Sequence, residues 1–209
     1  MELKNKKIHF LGDSITGGYG LADRENERFE GLIKKRTGAI TQNYGVSCSC
    51  ISLDKNRPFD DCFVTRQKDM EGDADIVVIF GGTNDHGRGT SPLGNKKDRD
   101  YTTFYGALHT LYSAVIKDNP RATVVVITPL HRGGEKSNTR GESLKQYVEV
   151  IREVAALYSF PVLNLYDEYG IDVTTNRDDI EKYMPDEIHP NALGHTILAD
   201  KITAFLENL

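Results

Sequence analysis

Asp75-Ile76-Val77-Val78-Ile79-Phe80-Gly81 is an unbroken apolar run closed by a glycine. It is too short for an ordinary helix and rich in β-branched residues, so it reads as a strand. A strand with no polar alternation is buried on both faces, as the central strands of a parallel sheet are. Working outward, Ala122-Thr123-Val124-Val125-Val126-Ile127-Thr128 repeats the pattern, with Pro129 just beyond it. Between the two runs, residues 102–118 carry Phe104, Leu108, Leu111, Tyr112, Val115 and Ile116 at helical spacing, and Pro120 follows.

The same alternation extends to both sides. Residues 8–12 read as a strand, 25–37 as one helix stopped by Gly38, and 39–44 as a second strand. Residues 142–158 place Leu144, Tyr147, Val148, Ile151, Val154, Ala155 and Tyr158 on a helix face. Residues 161–165 then form a fifth strand, and 191–207 a last helix opened by Pro190 and Asn191. Strand and helix alternating in this way predict an α/β fold with a five-stranded parallel sheet covered on both faces. No linker-like stretch interrupts residues 1–209, which are expected to form a single domain.

In such a sheet ligands bind outside the carboxyl ends of the strands. That rule singles out the loops 12–24, 45–60, 81–101, 129–141 and 166–190. In the first of them, Gly12-Asp13-Ser14-Ile15-Thr16-Gly17-Gly18 sets one serine in a glycine-rich turn. No lysine follows Gly17 or Gly18, so this is not a P-loop, and the dinucleotide fingerprint is also absent. A serine hydroxyl needs an adjacent base. Asp186-Glu187-Ile188-His189-Pro190-Asn191 supplies an imidazole and a carboxylate three residues before it, able to orient the ring from the same turn. Gly81-Gly82-Thr83-Asn84-Asp85, at the end of the clearest strand, offers the Asn84 amide as a neutral donor. In Asn43-Tyr44-Gly45-Val46 the Gly45 backbone N–H is another candidate donor, as is that of Ser14 itself.

Each of these features alone also fits an ordinary turn. In this order, with this spacing, the four blocks are similar to those of the GDSL/SGNH hydrolase family. The resemblance implies a flavodoxin-like three-layer α/β/α sandwich. It implies a catalytic triad of Ser14 as nucleophile, His189 as general base and Asp186 as its orienting acid. It also implies an oxyanion hole from Ser14, Gly45 and Asn84, and no metal or organic cofactor. Gly45-Val46-Ser47-Cys48-Ser49 only approaches the G-x-S-x-G elbow of other serine hydrolases, which makes Ser47 a poor rival to Ser14.

Composition narrows the partners. The net charge is −5 and the basic clusters are short and scattered, which argues against nucleic acid. No run approaches the ~20 apolar residues of a membrane span, and no secretory signal is visible, so a cytoplasmic protein is expected. Cys48, Cys50 and Cys62 lack the second pair that a zinc site needs and are read as reduced thiols. The expected partner is a small-molecule ester.

Asp13, His86 and His131 are candidates to line the substrate pocket. His9, His109 and His195 are read as packing or surface residues, and Arg66, Arg88 and Arg132 as solvated charges. The loop 85–100 is almost devoid of apolar bulk, which suggests a polar substrate with a short acyl group, such as an acetylated sugar. A lysophospholipase or thioesterase-like acylhydrolase, a non-catalytic carbohydrate binder and a flavodoxin-like nucleotide binder are the competing readings.

Overall fold

The computed structural model describes residues 1–56, 61–88 and 90–209. Five strands form one wholly parallel sheet: β1 (Lys7–Gly12), β2 (Ile40–Gly45), β3 (Ile76–Phe80), β4 (Thr123–Ile127) and β5 (Val162–Leu163). Their spatial order is β2-β1-β3-β4-β5. The helices are α1 (Ser14–Gly17), α2 (Arg24–Glu27), α3 (Phe29–Thr37), α4 (Phe63–Arg66), α5 (Thr83–Arg88), α6 (Phe104–Asp118), α7 (Leu144–Leu157), α8 (Leu165–Glu168), α9 (Arg177–Tyr183) and α10 (Ala192–Glu207).

Alternation along the strands divides the core in two. Ile8, Phe10, Ile76, Val78, Phe80, Val125 and Ile127 face α3 and α10, where they meet Phe29, Ile33, Leu198 and Ile202. Leu11, Val77, Ile79, Val124 and Val126 face α6 and α7, against Leu108, Leu111, Tyr147, Ile151 and Val154. The run that opened the sequence reading is therefore buried on both sides, as its lack of polar residues required. Helix starts follow local chemistry. Ser143 and Gln146 close a reciprocal capping box at α7, and Asn191 accepts from the N–H groups of Leu193 and Gly194 at α10.

Two elements depart most from the sequence reading. The expected helix 25–37 is broken at Arg28, whose backbone is extended (φ −63°, ψ 143°). The break turns α2 back onto α3, and Gly31 permits the approach, since a Cβ there would lie 2.3 Å from the Glu25 carbonyl oxygen. The fifth strand keeps only Val162 and Leu163, because the chain turns at Asn164 into α8. Among the described residues no helix is long and apolar enough to cross a membrane.

The sheet order decides where a site can form. β1 lies between β2 and β3, and in register Gly12 stands opposite both Gly45 and Phe80. The loops that follow these three strands thus leave the sheet side by side, at the point where the winding reverses. Those loops carry Ser14, Gly45 and Asn84.

Candidate active site

Ser14 is the first residue of α1, directly after Asp13, whose carboxylate accepts the Ile15 N–H at 2.9 Å and caps the turn. The serine is only 6% exposed, and its Oγ lies 2.8 Å from His189 Nε2. On the other side of the ring, His189 Nδ1 is 2.7 Å from Asp186 Oδ2. The second carboxylate oxygen, Oδ1, accepts the backbone N–H groups of His189 (2.7 Å) and Ile188 (3.1 Å). One aspartate therefore both folds the turn and fixes the ring. Burial raises the Asp186 pKa, but its bonds from His189 and Ile188 outweigh this and hold it below the usual carboxylate value. With Nδ1–H donating to Asp186, Nε2 is left as the acceptor facing the serine. Tyr19, half exposed, lays its ring 4.5 Å from that of His189.

The donors assigned from sequence are arranged as follows. Gly45 ends β2, and its N–H is already donated to Asn43 Oδ1 at 2.9 Å. Its lack of a side chain serves packing: a Cβ would fall 2.2 Å from the Gly17 nitrogen. Asn84 sits in the first turn of α5 and donates from Nδ2 to the Ser49 carbonyl at 3.0 Å, which leaves the second N–H of its amide. Its neighbour Asp85 is buried and accepts from Ile51 N–H, Ser52 N–H and Ser52 Oγ. Asn84 and Asp85 together pin the 49–52 segment beside the site.

Of the pocket candidates, Asp13 and His86 are buried (2% and 4% exposed), and His86 Nε2 bonds the Lys136 carbonyl. His131 does line a cavity, of about 600 Å³, together with Tyr166, Asp172 and Thr174. Its ring lies 3.8 Å from that of Tyr166. The segment that bears it is joined to the His189 turn by the Gly133 N–H, which donates to the Glu187 carbonyl (2.7 Å). A smaller cavity of about 200 Å³ lies directly against His189, lined by Tyr19, Gly20, Pro185 and Asn191. Among the described residues no group of three His, Cys, Asp or Glu side chains could hold a metal ion.

His195 is fully buried, stacked on Phe29, and accepts the Phe29 N–H at Nδ1, which makes it a packing residue. Burial pushes its pKa down to about 4, so it stays neutral. His9 and His109 are buried too. Arg66 and Arg132 are half-buried rather than the solvated charges expected, whereas Arg88 stays exposed. Arg66 donates to the Gly12 and Tyr44 carbonyls, Arg88 pairs with buried Asp54, and Arg132 donates to the Thr83 carbonyl. Charge patterning could not reveal these roles, because the partners named here are distant in sequence. The polar loop 85–100 also has internal duties: Asp98 accepts from Asn95 and Thr103. Residues 57–60 of loop 45–60, and residue 89 of loop 85–100, lie outside the described residues.

Asp13 carries a testable consequence. Burial raises its pKa, countered by the Ile15 N–H, raised again by Asp85 and countered by Arg66, with a net value of about 7 against an ordinary 3.8. Between those two values the folded protein keeps a proton that the unfolded chain releases, so the Asp13 contribution is full below the lower value and lost by the upper one. Asp13→Asn keeps an acceptor for Ile15 and removes the titration. Its stability relative to wild type should climb by up to about 1.4 kcal/mol per pH unit between about 4 and 7. Urea unfolding of both proteins across that window measures it, and parallel pH profiles would refute it.

Comparison with known proteins identifies the family. No curated protein matches the chain. A solved protein from Lactobacillus plantarum is 31% identical, with 98% of each chain covered and a TM-score of 0.87. A lipase/acylhydrolase from Enterococcus faecalis shares the fold at 23% identity, 97% of this chain, 96% of that one and a TM-score of 0.68. So does a two-domain esterase active on acetylated mannans, at 20% identity over 98% of this chain and 49% of that one, TM-score 0.69. The model of the GDSL-like lipase/acylhydrolase family matches residues 10–197. A match running from within β1 to within α10 takes in every element that carries the site, and the chain belongs to that family of ester hydrolases.

Proposed function

We propose that this protein removes a short acyl group, such as acetyl, from a polar or carbohydrate alcohol through an acyl-enzyme on Ser14. The observation that carries the reading is the unbroken line from Ser14 Oγ through His189 to Asp186, with separations of 2.8 and 2.7 Å. In the first half-reaction Ser14 Oγ adds to the ester carbonyl while its proton passes to His189 Nε2. Asp186 stabilises the imidazolium. Collapse breaks the bond to the alcohol oxygen, which takes that proton and leaves. Water then loses a proton to His189, attacks the acyl carbon and releases the acid, and Ser14 regains its proton.

The carbonyl oxygen becomes negative in each addition step. The Ser14 N–H and the free N–H of Asn84 are the donors for it, and Gly45 joins when its N–H exchanges Asn43 for the oxyanion. The scarcity of apolar bulk in the loop 85–100 supports a short acyl group, since a site for long acyl chains is lined mainly by hydrophobic side chains. The larger cavity at His131 and Tyr166 offers ring faces and carboxylates suited to a hydroxyl-rich alcohol. The mannan esterase of similar fold points the same way.

Two measurements test this. A fluorophosphonate probe should modify Ser14, read by peptide mapping, and modification of Ser47 or Ser49 instead would overturn the assignment. On a series of p-nitrophenyl esters, turnover should be highest for acetyl and decline with chain length. A preference for octanoyl or longer would favour the lysophospholipase or thioesterase-like reading.

A further inference from the structure

We propose that Arg66 is a positioning residue for ester hydrolysis, its guanidinium tying together the loops that carry Ser14, Gly45 and Asn84. The inference rests on the reading of Ser14 as the nucleophile. Arg66 ends α4, and its side chain runs beneath the rim of the site. Nη2 donates to the Gly12 carbonyl at 3.0 Å, two residues before Ser14. Nη1 donates to the Tyr44 carbonyl at 2.9 Å. Nε donates to the Asp61 carbonyl at 2.7 Å, and both Nη2 (2.9 Å) and Nε (3.2 Å) reach Ser49 Oγ. The Ser49 hydroxyl donates in turn to the Asp61 carbonyl at 2.6 Å, while the Ser49 carbonyl accepts from Asn84 Nδ2.

One rigid fork therefore stands a single bond from the Gly12 carbonyl and the Tyr44–Gly45 peptide, and reaches Asn84 through Ser49. The Tyr44 carbonyl and the Gly45 N–H belong to the same peptide unit. A charged donor on that oxygen polarises the unit and strengthens the N–H on its far side. The fork's planar geometry suits acceptors on three sides, which the single point of a lysine ammonium cannot serve together. Burial lowers the Arg66 pKa, and the nearby carboxylates of Asp61, Asp13 and Asp69 offset part of that cost. Held at this point, the guanidinium fixes the relative placement of Ser14, Gly45 and Asn84. A misplacement of about 1 Å among such groups can cost about 10²-fold in rate.

The test compares wild type, Arg66→Ala, Arg66→Lys and Ser49→Ala on p-nitrophenyl acetate, with the folded fraction of each taken from urea unfolding. Arg66→Ala should lose about 10²-fold in kcat per folded molecule, with KM nearly unchanged, because the groups it places act in the transition state. Guanidinium ion at millimolar concentration should restore part of that rate and leave wild type unaffected. Arg66→Lys should remain impaired, and Ser49→Ala, which cuts the link to Asn84, should also lose kcat. If Arg66→Ala does not fold, Arg66→Lys decides. Wild-type kcat per folded molecule in the folded Arg66 variants, with only the unfolding midpoint lowered, would overturn the proposal. Failure of the underlying reading shows separately, as undiminished turnover in Ser14→Ala.

Discussion

Ser14→Ala is expected to lower turnover on p-nitrophenyl acetate by about 10⁵–10⁶-fold and to leave the fold intact. The size follows from what the hydroxyl does. In the proposed reaction it forms the bond to the acyl carbon, and no other hydroxyl stands in line with His189 Nε2 among the described contacts. The fold survives because the hydroxyl contributes one hydrogen bond, and that to a ring nitrogen, while the turn itself is held by the Asp13 carboxylate and backbone bonds from Gly17 and Tyr19. The backbone N–H of residue 14 and the Asn84 amide remain, so a residual rate above that of water is expected. Circular dichroism and turnover on one preparation decide the matter. A variant that keeps a substantial share of wild-type rate would remove Ser14 from the reaction.

Asp186→Asn should cost about 10⁴-fold in kcat, although it changes a single atom. Asp186 has two duties, one on each oxygen. Oδ1 holds the backbone N–H groups of Ile188 and His189, and Oδ2 accepts the ring proton at Nδ1. An asparagine has one oxygen for both. If it serves the backbone, its NH2 group faces Nδ1, the ring proton moves to Nε2, and His189 can no longer take the proton of Ser14. If it turns over, the backbone loses its acceptor and the turn loosens. In either arrangement the negative charge that favours the imidazolium is gone. The check is kcat against pH for both proteins, together with the fluorophosphonate labelling rate of Ser14, which should fall in parallel. Wild-type turnover in Asp186→Asn would show that the ring needs no orienting acid.

Much of this was legible before any coordinates, for identifiable reasons. The runs at 76–80 and 124–127 have no polar residue within them to offer water, so a two-sided burial was the available outcome. The Gly12–Gly18 turn and the Asp186–His189 turn are local, and local chemistry carries its own signal. The interruption at Arg28 was hidden because Phe29, Leu32 and Ile33 keep helical spacing across it. The break lets α2 fold back on α3, with the Glu25 carbonyl where a side chain at Gly31 would stand, a contact that apolar spacing does not encode. Arg66 was opaque for a similar reason: its acceptors lie on Gly12, Tyr44, Ser49 and Asp61, and nothing near Arg66 in sequence announces them. The polar stretch 85–100 is a different case. It was read as lacking apolar bulk for a long acyl chain, and part of its polarity is spent within the loop and just beyond it, where Asp98 accepts from Asn95 and Thr103.

The hydrogen bond between Ser14 and His189 spans 175 positions of the chain. At a synthesis rate of about 5–20 residues per second, the base leaves the ribosome on the order of ten seconds or more after the nucleophile. Throughout that interval the emerging polypeptide holds a serine with no partner to deprotonate it, and so cannot attack esters in its surroundings. On the proposed mechanism hydrolytic competence waits until the Asp186–His189 turn has been made and has folded against Ser14, and a catalytic assay on nascent or prematurely terminated products reads out whether these two distant segments have come together.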